Sequence, residues 1–183
     1  MLAETQRADL LRVARESMTA QVLRRGPAAP DLAADATTTL PDASGVFVTI
    51  KRRGELRGCL GTLECRAGLT QEIARYARDS ASRDPRFPPI APGELQDLSL
   101  EISVLGPLQA IDPVEAGAVV IGRDGLVVED GPRRGLLLPQ VAAERSWTVE
   151  HFLGQTCHKA GLAPDAWRHG ARVYRFEAEV FGD

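Results

Sequence analysis

The chain has little of what several specialised partners demand. Aromatic residues make up only 5% of its 183 positions, which leaves few stacking platforms for single-stranded nucleic acid. Basic excess is missing as well. Against 22 Lys and Arg stand 25 Asp and Glu, a formal net charge of −3, so neither nucleic acid nor an anionic membrane is expected as the main partner. No apolar run approaches membrane-spanning length, and the opening MLAETQRADLL lacks the apolar core of a signal peptide. The three cysteines are odd in number and show no CxxC or CxxxC spacing, which argues against a disulfide framework and a structural zinc and suits a reducing cytoplasm. Neither a GxGxxG nor a P-loop follows a strand pattern, which argues against a nucleotide-binding doubly wound fold. What remains is a chain with 44% hydrophobic residues, enough to bury the core of one domain.

Periodicity supplies the elements. Leu10, Leu11, Ala14, Met18 and Val22 recur at helical spacing and predict a helix over about residues 4–23, ended by Gly26-Pro27. Residues 27–39 read as a loop or arm. Thr70 is placed to cap a helix running to about Ser82, with Leu69, Ile73, Tyr76, Ala77 and Ser80 on one face. Leu98 to Leu105 alternates as a strand, with Ser99, Glu101 and Ser103 on its polar face. Arg123-Asp124-Gly125 reads as a hairpin turn between strands at 118–121 and 126–129. Pro139-Gln140 opens a helical segment, Thr148 caps a helix through Phe152, Leu153, Thr156, Cys157 and Ala160, and Gly161 ends it. A last strand covers 171–181. The class is α+β, a mainly antiparallel sheet flanked by helices. One domain over 1–183 is expected, with a larger lobe (about 1–110 and 136–183) and a smaller β-rich lobe (about 111–135).

The richest stretch is Gly45 to Thr62, GVFVTIKRRGELRGCLGT. Its first arm puts Val46, Val48 and Ile50 on one face. Strict alternation in the second puts Leu56, Gly58 and Leu60 on one face and Arg57 beside Cys59 on the other. A guanidinium beside a thiol lowers its pKa and raises its nucleophilicity. Gly58 and Gly61 would open the backbone to a ligand. The plain alternative is a cysteine packed as a small hydrophobe and glycines that mark turns. Further on, three prolines stiffen Arg83-Asp84-Pro85-Arg86-Phe87-Pro88-Pro89-Ile90. That loop can present Asp84, Arg86 and Phe87 to a cleft, or Phe87 can plug the core while Asp84 pairs locally. Glu101 is a possible proton carrier or a solvated strand carboxylate.

Leu56 to Thr62, LRGCLGT, closely resembles the LRGCIGT signature of the AMMECR domain family, whose bacterial members include the A component of the AmmeMemoRadiSam system. Leu60 stands where the signature usually has isoleucine. The later stretches Asp84 to Pro89, Leu100 to Leu105, Gly135 to Val141 and Cys157 to Leu162 with Trp167 fit the same family in the same order. The resemblance implies an α+β fold with two lobes, a cleft between them near the signature, and partnership with a Memo-like protein and a radical-SAM enzyme. It implies no one reaction, and it fixes none of the histidine positions.

The site expected from these residues holds Cys59 as nucleophile, with Arg57, Gly58, Gly61, Thr62, Asp84, Arg86 and Gln140 around an anionic small molecule. Arg57 would grip the anion and lower the thiol pKa, unless it merely pairs with Glu55, Glu64 or Glu101. His151, His158 and His169 are the only candidate bases. His151 and His158 lie too far apart along one helix for joint metal ligation, and no metal site is expected. No cofactor can be named. The chain reads as a small-molecule enzyme or an accessory enzyme component; the rival is a non-catalytic ligand- or protein-binding scaffold.

Overall fold

A computed structural model describes residues 2–25, 43–115 and 117–183; the arm expected at 27–39 lies outside them. Two compact units emerge. One takes Met1–Leu105 and Glu179–Asp183, the other Gly106–Ala178. The second is larger than the lobe of 111–135 expected from the sequence. The reason is the helix over Val149–Lys159, whose apolar face packs on strands at Asp124–Asp130 and Arg133–Leu137 and so joins them.

The first unit begins with α1 (Glu4–Val22), which buries Leu10, Val13, Ala14, Met18 and Val22. A hairpin follows, β1 (Gly45–Arg52) and β2 (Glu55–Thr62). Arg53 and Gly54 turn it at φ 53° and 88°, the paired left-handed geometry that suits the twist of a two-residue hairpin. The next helix, α2 (Leu69–Ser82), starts one residue before the expected Thr70 cap. Gly68 stands at its N-cap with φ 83°. Buried Glu72 accepts hydrogen bonds from the Arg66 and Ala67 amides (3.2 and 3.3 Å) ahead of the first turn. A 3₁₀ turn at Pro92–Asp97 leads into β3 (Leu98–Leu105). Within the unit the strands lie in the order β2, β1, β3, all antiparallel, and the Asp183 amide donates to the Leu100 carbonyl at 3.1 Å. Val46, Val48 and Ile50 of β1, Leu100 and Ile102 of β3, and Ile73 and Ala77 of α2 fill one core.

The second unit holds β4 (Gln109–Ile111), β5 (Asp124–Asp130), β6 (Arg133–Leu137), α3 (Pro139–Glu144), α4 (Val149–Lys159) and the first part of β7 (Arg172–Gly182). Its strands run in the order β4, β7, β5, β6, again antiparallel. The hairpin expected around Arg123-Asp124-Gly125 is elsewhere. Asp124 is buried, and its carboxylate accepts the Val120 amide at 2.8 Å and holds Arg123, so this segment closes a turn and starts a strand. The reversal falls at Gly131-Pro132, between β5 and β6. The α4 cap is as expected, with Thr148 Oγ1 accepting the His151 amide and Gly161 at φ 71° past the end. No helix among the described residues is long and apolar enough to cross a membrane.

Candidate functional site

Strict alternation fails in β2, and the failure reorganises the expected site. The β1–β2 register shifts between Ile50, opposite Gly58, and Lys51, opposite Leu56. Arg57 is therefore the extra residue of a bulge, a device that re-aims side chains. Leu56 stands 42% exposed instead of facing the core. The Arg57 guanidinium is taken up elsewhere. Its Nε and Nη2 donate to Glu94 at 2.9 and 3.0 Å, and its Nη1 to the Pro88 carbonyl at 2.9 Å. Only 13% of its side chain is exposed. It ties the bulge to the proline loop and the 3₁₀ turn, and Glu94 is pulled down to about 2 by that bond. Arg57 is a structural clamp, contrary to the expected anion grip.

The cation that acts on the thiol is Arg86. Buried Asp84 accepts Arg86 Nε at 2.9 Å and Nη2 at 2.6 Å, a two-pronged charge-assisted pair. Both residues then reach the outer edge of β2. Asp84 Oδ2 accepts the Cys59 amide at 2.8 Å, and Arg86 Nη2 donates to the Cys59 carbonyl at 3.2 Å. Edge strands leave such groups unpaired and open to aggregation, and here the DPR loop covers them. The Arg86 bond and the two amides hold the Asp84 carboxyl at about 2 against its burial. The Arg86 side chain stays half-exposed, with its guanidinium 5.5 Å from the Phe87 ring centre.

Cys59 shares its face with Thr49, its partner across the strands, and beyond Thr49 lies Glu101. Thr49 Oγ1 donates to Cys59 Sγ at 3.2 Å, and Lys51 Nζ pairs with Glu101 at 2.8 Å. The thiol is half-buried, and burial pushes its pKa up; the Thr49 hydroxyl and Arg86 pull it down, while Asp84 and Glu101 push it up again. The net direction is upward, opposite to the expectation of an activated thiolate. Glu101 is tied to Lys51 of the neighbouring strand. The first unit contains no histidine, since His151, His158 and His169 all fall within Gly106–Ala178.

The glycines are close-contact residues. An alanine Cβ at Gly58 would overlap the Ser80 carbonyl of α2, and at Gly61 it would overlap the Val46 carbonyl and the Phe47 ring. At both positions the space a side chain would take is filled by the protein's own atoms. Thr62 Oγ1 accepts the Glu64 amide and donates to the Glu64 carbonyl, both at 3.0 Å, closing the strand end. Gln140 lies on α3 in the second unit and is not among the residues this unit brings together.

Two residues escaped the sequence reading. Thr49 becomes a partner of the thiol only through the hairpin register. Ser80 looks like an ordinary helix-face residue, yet its hydroxyl accepts the Leu60 amide and donates to the Val48 carbonyl, both at 2.8 Å, bridging β2 and β1 from the helix side. Ser80→Ala is expected to cost about 1–3 kcal/mol, because it strips the part-buried Leu60 amide and the buried Val48 carbonyl of their partner. Urea unfolding measures it, and an unchanged midpoint would show the bridge to be idle.

Among the described residues no group of three His, Cys, Asp or Glu side chains is placed to hold a metal ion. Related proteins share this architecture. The crystal structure of an uncharacterised protein from Pyrococcus horikoshii matches at a TM-score of 0.86 and 40% identity, covering 95% of this chain and 89% of that one. A Methanosarcina acetivorans protein is 42% identical over 99% of this chain and 93% of its own length. One from Thermofilum pendens is 46% identical over 80% of this chain and 76% of its own. The AMMECR1 family model matches residues 11–181, almost the whole chain, and includes the bulged signature strand and the DPR loop that caps it: the chain belongs to the AMMECR1 family.

Proposed function

We propose that this AMMECR1-family chain is a binding component, holding a ligand or a partner protein against the sheet face that carries Cys59, Thr49 and Arg86, and that it does not use Cys59 as a resting thiolate nucleophile. The observation that carries this reading is the setting of the thiol, half-buried, held by the Thr49 hydroxyl at 3.2 Å and with no histidine in its unit to act as a base; that burial also pushes its pKa up. A protonated thiol is a weak nucleophile and a passable small contact group. An accessory role beside Memo-like and radical-SAM partners belongs with this reading, and three free thiols suit a reducing cytoplasm.

The pH profile of Cys59 alkylation by iodoacetamide, followed by peptide mass mapping, tests it. The expected midpoint lies above the free-thiol value of about 8.5. A midpoint near neutrality would restore the thiolate chemistry. The half-exposed Arg86 favours a second reading, in which an anionic small molecule is gripped there and Cys59 reacts with it. Cys59→Ser separates the two: a binding component keeps its partner or ligand, and an enzyme loses all turnover.

A further inference from the structure

On the helix layer of the first unit, α1 and α2 end close together, with Gln21 Nε2 donating to Ser82 Oγ at 3.3 Å. A hollow of about 620 Å³ opens there, with Val22, Leu23, Ala81, Pro89, Ile90 and Pro92 supplying its apolar wall. A second hollow of about 340 Å³ adjoins it, sharing Gln21 and Ser82 and lined by Arg75, Arg78, Arg83 and Asp79. Arg24 stands on the rim of the first.

The charge balance is uneven. Asp79 is shared by Arg75 at 3.7 Å and Arg83 at 3.2 Å, and buried Glu72 lies 3.9 Å from Arg75. Arg24 and Arg78 have no acidic partner among the described residues. In a chain of net charge −3, this concentration of guanidinium runs against the whole. Helix dipoles account for only part of it: Arg83 stands at the C-cap of α2 and Arg24 just past the C-cap of α1, where carbonyl ends favour cations, whereas Arg75 and Arg78 lie before the last turn of α2.

We propose that this paired hollow docks an acidic segment of a partner protein, with an aliphatic or proline anchor in the apolar half and carboxylates on the arginines. Guanidinium forks match carboxylates, and proline-walled apolar hollows accept aliphatic side chains without ordering a mobile surface. A nucleic acid would leave the apolar half unused and find no aromatic platform in either hollow. A small inorganic anion would also leave it empty. The surface is separate from the Cys59 face, and it stands whether or not the binding reading of that face holds.

The test is selection of a random peptide display library on the full chain, then fluorescence anisotropy of the winning peptide. Selected peptides are expected to combine Asp or Glu with Leu, Ile or Pro, and binding is expected to weaken as salt rises. The Arg24→Ala, Arg78→Ala, Arg83→Ala triple variant is expected to bind about tenfold more weakly or worse, with its thermal midpoint and Cys59 alkylation unchanged. Should the triple variant fold poorly, Arg24→Glu alone, at an exposed position, is expected to weaken binding in the same direction. The proposal is overturned by the absence of any enriched peptide or by winners without acidic residues. It is equally overturned by undiminished affinity in the variants, or by displacement with millimolar phosphate, which would mark a small-anion site.

Discussion

Asp84→Ala is expected to destabilise the protein by about 3 kcal/mol, since breaking a buried ion pair at one partner leaves the other uncompensated. Arg86 is half-exposed and can recover water, which keeps the loss at the lower end of that range. The amide of Cys59 cannot recover so easily, because its acceptor disappears along with the charge. The same carboxylate sets an acid limb. Its folded pKa, about 2, lies below the unfolded carboxylate value near 3.9, so the folded state favours the ionised form. The resulting stability, about 2 kcal/mol, is complete above pH 4–5 and disappears as pH falls toward 2. Glu94, also held at about 2 by Arg57, adds to the limb in the same window. Thermal midpoints measured between pH 5 and 2 are expected to fall steeply for the parent chain and less steeply for Asp84→Asn. Parallel limbs in the two proteins would mean that the pair is too weakly coupled to folding to organise β2.

How far the sequence foretold this arrangement depends on which rule it used. Periodicity placed α1, α2, α4, β1, β3 and β7 correctly, because each buries one clean face and the burial dictates the period. Around Cys59 the same rule misled. Alternation holds for Cys59, Leu60 and Gly61 but breaks at Arg57, where one extra residue in β2 cancels the inference that neighbours two apart share a face. Nothing local to LRGCLGT marks the bulge, and the carboxylate that takes up the re-aimed guanidinium, Glu94, lies far along the chain. The functional weight given to Arg57 passes to Arg86, which the proline-stiffened loop delivers to the thiol edge. Legibility also failed at Asp124. A hydrophilic Arg-Asp-Gly triplet looks like a solvent turn, yet the carboxylate is buried by accepting the Val120 amide and pairing with Arg123. Glycines read as ligand openings proved to be places where the protein's own atoms come close.

Gly58→Ala carries that last point to its consequence. Gly58 sits opposite Ile50 with its open side toward α2, and a methyl group there would overlap the Ser80 carbonyl oxygen, with the carbonyl carbon at 3.2 Å. Those atoms are backbone, so no rotamer change relieves the clash. Either α2 or β2 must move. Displacing α2 pulls the Ser80 hydroxyl off Leu60 and Val48 and loosens Ile73 and Ala77 in the core. The expected cost is about 3 kcal/mol, the upper end of overpacking penalties, or roughly 6–12 °C of thermal midpoint for a chain of this size. Gly54→Ala is the control. It has nothing within 4 Å of its added methyl and bears only the strain of φ 88°, about 1 kcal/mol. Because α2 runs directly into the loop that carries Asp84 and Arg86, its displacement is also expected to release the Cys59 edge and raise amide exchange at Cys59 in Gly58→Ala but not in Gly54→Ala. Equal losses in the two variants would mean that the helix yields freely, and that the glycine of the signature is not there to let α2 reach the strand.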